Sequence, residues 1–219
     1  MVIAAPIIMA YLLGSIPFGF LVSRAFGVGD IRQHGSGNIG ATNVWRVIGP
    51  RAAAWTYVGD IGKGAAAVLL ARYWLGAFDV TPGIVDPLLV ATALAAVTGH
   101  MFPVYLRFRG GKGVSTALGG VMVLLPLESL AGLLVFVLVV AFSRYISLGS
   151  MAGAVSLGVV VVTEKYLLQR DIAVIYVGLA AVLAVLIVLT HRHNIGRLLS
   201  GTENKFSLSS GSGKDQSDV

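Results

Sequence analysis

The sequence predicts an all-α integral membrane protein, a seven-transmembrane-helix bundle with glycine-rich cytoplasmic-side loops. Three observations predict it. The chain is 56% hydrophobic and 12% charged, with a mean hydropathy of +0.85, whereas water-soluble domains run at about 45–50% apolar and about 25% charged. Its apolar residues fall into runs near the ~20 residues that cross a hydrocarbon core of about 30 Å. Its basic residues gather at one set of run ends, as the positive-inside rule requires.

Residues 2–23 form the first span, bent at Gly14-Ser15-Ile16-Pro17. The run lacks a basic leader and is long enough to cross, so it reads as an anchor rather than a cleaved signal. Residues 52–74 form the second span and carry Asp60 and Lys63 inside it; residues 84–106 form the third, with His100 and Pro103 near its end. Residues 114–142 are too long for one perpendicular span at 1.5 Å per residue, and Pro126 divides them into two. Charge supports that division. With two spans, Arg24, Arg46, Lys112, Arg144 and Arg197 share one side, and Arg72, Lys165 and Arg170 flank the other. With one span the asymmetry largely disappears. Residues 148–162 and 172–190 complete the set, with the amino end outside and the carboxyl end inside. Residues 1–206 are therefore expected to form one membrane domain, and 207–219 a polar, disordered tail.

The net charge of +6 is explained by this topology, so nucleic acid is not an expected partner. The chain has no cysteine, which excludes disulfides and thiolate chemistry. No His/Asp/Glu group has metal spacing and no nucleophile elbow is visible, so neither metal nor cofactor is expected.

Three polar segments fall on the predicted cytoplasmic side. Residues 35–46 read GSGNIGATNVWR. Gly35, Gly37 and Gly40 let backbone N–H groups approach a ligand, Ser36, Asn38, Thr42 and Asn43 add hydroxyls and amides, and Arg46 adds a forked cation. That is the composition of an anion cradle. Residues 107–115 read RFRGGKGVS, where Gly110, Gly111 and Gly113 lead into a helix amino end beside Lys112. The spacing is not a Walker A pattern, and a basic turn that fixes topology is the competing reading. Residues 191–203 read HRHNIGRLLSGTE and set Asn194, Arg197 and Gly201 roughly on one helical face, with His191 a turn earlier. Here the alternative is a juxtamembrane helix touching anionic lipid heads. Asp60 and Lys63, three apart, can pair within their span, either as structure or beside substrate. His100 reads as a packing histidine.

At these residues the chain resembles the bacterial membrane acyl-phosphate:glycerol-3-phosphate acyltransferases. The family's first motif is matched by GSGNIGATNVWR, its second by GHMFPVYLRFRGGKGVST and its third by HRHNIGRLLSGTE; DIGKG at Asp60 and GSIPFG at residues 14–19 are also similar. The resemblance implies acyl transfer from a long-chain acyl phosphate to the 1-hydroxyl of glycerol-3-phosphate. The products are lysophosphatidic acid and inorganic phosphate, in the first committed step of phospholipid synthesis. It implies a site facing the cytoplasm across the bacterial inner membrane, in a monomer that meets membrane lipids. It further implies that Ser36, Arg46, His191 and Asn194 support the reaction and that Gly110, Gly111, Lys112 and Gly113 help hold glycerol-3-phosphate. Gly37, Asn38, Gly40, Thr42, Asn43, Lys63 and Arg197 are expected to bind substrate, and Asp60 and Glu203 to be structural.

The residues suit such a reaction. Two anionic substrates repel, and an N–H-lined cationic pocket offsets this. An acyl phosphate is already activated, so no covalent enzyme intermediate is required. Three groups could serve the hydroxyl proton: His191 as base, Ser36 as relay or oxyanion donor, and a substrate phosphate; the phosphate route is the working hypothesis, because no histidine–carboxylate pair is evident. Two rivals remain on residues alone. An anion transporter would need polar groups along a path across the membrane, yet here they gather on one side. An acyltransferase using acyl-CoA or acyl carrier protein would be expected to carry His-x-x-x-x-Asp, and the residues five beyond the four histidines are Ile39, Tyr105, Gly196 and Leu198.

Overall fold

The computed structural model describes residues 3–78 and 80–207, and the described residues form α-helices, two short 3₁₀ turns and connecting loops. Nearly all of the predicted tail (208–219) lies outside them. The first run is a broken helix: α1 (Ala4–Gly14) ends as Ser15 donates back to Tyr11, and α2 (Phe18–Ala25) restarts after Pro17. A short helix, α3 (Ala41–Val47), carries the first polar segment. Pro50 opens α4 (Pro50–Gly76), as proline suits a first helical position. Next come α5 (Pro82–Met101), α6 (Val114–Leu124), α7 (Pro126–Ser143), α8 (Ile146–Tyr166), α9 (Val174–Thr190) and α10 (Arg192–Leu199).

The long fourth run breaks where expected. Leu125 donates to Val121 to close α6, and Pro126, which has no N–H, begins α7. Among the described residues four segments are long and apolar enough to cross a membrane: Ala4–Ala25, Pro82–Leu106, Pro126–Ser143 and Ile146–Tyr166. A fifth is α9 taken together with α10, bent by 59° between them. The fold is that of an all-α integral membrane protein. Large apolar side chains such as Leu134, Val137, Phe142, Val159 and Val185 face outward, as a lipid-facing surface requires.

Helix α4 packs against α1, α5 and α6, while α7 packs on α6 and α8, and α9 on α8 and α5. Val68, Leu75, Leu88 and Leu89 fill the α4–α5 seam; Val97, Val121, Leu157, Leu179 and Leu183 fill the seam between α5, α6, α8 and α9. The α4–α6 approach is backbone on backbone. A β-carbon at Gly64 would overlap the Thr116 carbonyl, and one at Gly119 would overlap that of Ile61. This close crossing holds the amino end of α6 against α4.

Candidate active site

Asn43, which is 2% exposed, builds the first loop. Its Oδ1 accepts the Ser36 N–H at 2.8 Å, and its Nδ2 donates to the carbonyls of Asn38 and His34 at 2.9 and 3.0 Å. Asn38 Oδ1 takes the Gly40 N–H at 2.7 Å. The loop is folded by its own amides, which leaves the Ser36 hydroxyl and Asn38 Nδ2 at its surface. One turn into α3, the half-buried Arg46 guanidinium has no hydrogen-bond or ion-pair partner among the described residues.

The second loop is pressed onto the end of α5. Gly110 and Gly111 donate their N–H groups to the Met101 and His100 carbonyls at 3.1 and 3.0 Å. A β-carbon at Gly110 would overlap the His100 carbonyl, and one at Gly111 the His100 ring. Gly113 then takes a φ of 81° and starts α6, whose first N–H groups have no intrahelical acceptor. The three glycines do lead into a helix amino end, and Gly110 and Gly111 line the space before it. Their own N–H groups are bonded to α5, and the free ones lie just beyond, at the α6 amino end.

The third segment closes the arrangement around Glu203. Its Oε1 accepts from Ser147 and Asn194, each at 2.7 Å, and its Oε2 from Arg197 Nε at 2.7 Å. Asn194 Oδ1 accepts in turn from Lys112 Nζ at 2.5 Å. One chain of contacts thus joins the loop before α6, helix α8 and helix α10. Beyond Glu203, Phe206 exchanges backbone and side-chain bonds with Arg144 and packs on Trp45, with ring centroids 5.2 Å apart.

These segments surround one cavity of roughly 660 Å³. Ser36, Asn38, Arg46, Lys112, His191 and Arg197 line its polar end; Val121, Leu133, Phe136, Leu157 and Leu183 line an apolar slot running between α6, α7, α8 and α9. Burial pushes the Lys112 ammonium down to about 8, with Arg197 and Arg46 adding to the fall and Glu203 opposing it. Burial raises the Glu203 carboxyl, but its bonds from Ser147, Asn194 and Arg197 outweigh that and hold it below the usual range. His191 sits buried at the bend between α9 and α10. Its Nδ1 lies 2.7 Å from the Ile187 carbonyl and must carry the proton, so Nε2 bears the lone pair.

Of the residues expected at the site, Ser36, Asn38, Gly40, Thr42, Asn43, Arg46, Gly110, Gly111, Lys112, Gly113, His191, Asn194 and Arg197 line this cavity, with Asp60 and Glu203 in its wall. Lys63 does not. Its Nζ is held at 2.7 Å by both Asp60 and the Ile16 carbonyl, which ties α4 to the break after α1. Gly37 faces a second, separate cavity. Sequence reasoning missed Ser147, a serine without a motif, and underrated His100, which lines the cavity 3.4 Å from Asp60.

Residues 4–201 match the family model described as glycerol-3-phosphate acyltransferase. The chain belongs to that family. A glycerol-3-phosphate acyltransferase of Geobacter sulfurreducens is 46% identical over 200 residues, covering 90% of this chain and 94% of its own. One from Myxococcus xanthus is 46% identical over 204 residues, covering 93% and 99%. Among solved structures, PlsY, an integral membrane glycerol 3-phosphate acyltransferase, in its glycerol 3-phosphate form superposes with a TM-score of 0.81. That alignment has 38% identity and covers 94% of this chain and 96% of the other. The lysophosphatidic acid form of PlsY gives 0.79. As a glycerol-3-phosphate acyltransferase, this chain is an integral membrane enzyme, and its cavity joins a cationic end suited to phosphate with an apolar end suited to an acyl chain.

Proposed function

We propose that the chain acylates the 1-hydroxyl of glycerol-3-phosphate with a long-chain acyl phosphate, giving lysophosphatidic acid and inorganic phosphate. The observation that carries this reading is the single cavity with two chemistries. Arg46, Lys112 and Arg197 supply cations where two phosphates must lie side by side, and the slot between α6 and α9 takes the chain. The free α6 amino end and the Ser36 hydroxyl add donors at the same end.

The glycerol-3-phosphate hydroxyl oxygen attacks the acyl carbonyl carbon, and a new C–O ester bond forms. The bond from that carbon to the phosphate oxygen breaks, and the released phosphate takes the hydroxyl proton and leaves as hydrogen phosphate. No acyl-enzyme is needed. His191, neutral and fixed at Nδ1, with Asn194 beside Lys112, orients the reacting groups; Asn43 shapes its loop, Asp60 anchors Lys63, and Glu203 ties the pocket together. Seven spans fit this reading once α4 (27 residues) and the short α6 (11 residues) are added to the five apolar segments. The basic residues then face the cytoplasm of a bacterial inner membrane. The protein acts as a monomer.

The test is a purified-protein assay with glycerol-3-phosphate and either palmitoyl phosphate or palmitoyl-CoA. Phosphate and lysophosphatidic acid are expected with the first donor alone; turnover of palmitoyl-CoA at a comparable rate would overturn the donor. For the proton, His191→Gln is expected to lower kcat by less than about 10²-fold, since general acid–base catalysis is typically worth 10²–10⁴. A larger loss at unchanged folding and substrate affinity would assign the proton to His191 instead.

A further inference from the structure

A second cavity of roughly 890 Å³ lies behind the Ser36–Gly37 and Gly110–Gly111 loops, and Gly110 lines both cavities. Its walls carry Arg32, Arg107 and Arg109 against a single carboxylate, Asp30. Asp30 is already engaged, holding Arg32 through Nε at 2.9 Å and Nη2 at 2.7 Å. Arg107 and Arg109 are exposed and have no side-chain partner among the described residues, so the cavity has two uncompensated cations. Neither arginine contributes to the acyl-transfer site described above.

The backbone that presents them is strained. Arg107 and Phe108 are consecutive non-glycine residues in the left-handed region, with φ of 53° and 62°. Such geometry is costly for residues with a β-carbon and persists only where surroundings enforce it, often at ligand sites. Here Phe108 N–H bonds to the Pro103 carbonyl at 2.9 Å and Arg109 N–H to that of Leu106 at 3.2 Å. The turn aims two arginines at the cavity and turns Phe108 outward. Phe108 is 60% exposed and Tyr105 57%, and with the exposed Val104 on the same turn they set apolar surface beside the cations. The Phe20 ring also lines the cavity, and Arg32 and Arg24 each lie 5.7 Å from its centroid.

Cations alone would suit any small anion. Cations rimmed by exposed aromatics at a membrane boundary suit an anion that carries hydrocarbon. We infer that this second cavity binds the phosphate headgroup of an anionic glycerophospholipid, with Arg107 and Arg109 on the phosphate and the exposed rings of Tyr105 and Phe108 on the adjoining chains. Because Gly37 and Gly110 form its walls, a lipid seated there braces the two loops that also frame the acyl-transfer cavity.

The test is lipid binding and does not rest on the acyl-transfer reading. The full-length protein is reconstituted in phosphatidylcholine nanodiscs with a trace of headgroup-labelled phosphatidic acid, and the immobilised fraction is measured. The wild type is expected to immobilise phosphatidic acid in preference to labelled phosphatidylcholine. The double variant R107Q/R109Q is expected to weaken that binding about 30-fold, at roughly tenfold or less per arginine, while its acyltransferase rate in phosphatidylcholine discs stays within about twofold of wild type. K112Q, which alters the other cavity, is expected to retain the bound lipid. Wild-type binding by R107Q/R109Q, or loss of binding in K112Q, would overturn the assignment. Displacement of the lipid by millimolar inorganic phosphate would make the ligand a free anion and overturn its lipid origin.

Discussion

At the scale of single residues, the site rests on a buried ammonium, Lys112, whose depressed basicity the Glu203 carboxylate opposes. Lys112 loses its proton as pH rises through about 8, so kcat/KM for glycerol-3-phosphate should fall above that pH. Lys112→Arg keeps its charge and should remove that descending limb, whatever it does to the absolute rate; a pH–rate profile checks this. Glu203 opposes the depression of Lys112, so Glu203→Gln should move the limb to lower pH. The same lysine makes the unliganded protein gain stability between about 8 and the ordinary 10.5, where the unfolded chain binds the extra proton. Glu203, held below its ordinary 4.5, stabilises the fold above that value and ceases to do so as pH falls through its folded pKa. Gly111 is decided by space. With a β-carbon driven into the His100 ring, Gly111→Ala should lower kcat/KM by at least about 10²-fold with helical content unchanged by circular dichroism.

At the scale of elements, α6 is the unusual one. Eleven residues rise only about 16 Å, half a hydrocarbon core, and the amino end of α6, at Gly113 and Val114, turns its helix dipole onto the cavity. Its position is fixed by the crossing with α4 at Gly64 and Gly119. Gly64→Ala drives a methyl into the Thr116 carbonyl, and overpacking of this kind costs about 1–3 kcal/mol. A lower thermal midpoint of the detergent-solubilised protein should accompany lost activity, because the first turn of α6 moves with the crossing.

At the scale of the whole molecule, the cavity joins the two halves of the bundle. Its polar end draws on α3, the α5–α6 loop and α10, and its apolar end on α6 to α9. Chain length should therefore be read at the far end, away from the chemistry. Ala154→Phe adds a ring to the slot lining and should lower the rate with palmitoyl phosphate relative to octanoyl phosphate by about tenfold or more. A shift of the two rates in parallel would place the acyl chain elsewhere.

The sequence by itself determined where the helices run, because apolar length and proline act locally: Pro126 divides a long run whatever surrounds it, and Pro17 breaks the first. It also exposed the three polar segments, whose glycines, amides and arginines are conspicuous between oily stretches. Only the tertiary structure decided which of those groups face a common space. Lys63 and Arg46 are both cations expected to meet substrate, yet helix packing turns the first onto Asp60 and Ile16 and leaves the second open in the cavity. Likewise Gly110 and Gly111 proved to be bonded to α5, and Ser147, with no motif around it, reached Glu203 across fifty-six positions of chain. The reason is that hydropathy and local geometry are properties of neighbours in sequence, whereas a hydrogen bond depends on a few ångströms in space, which helix crossings alone fix.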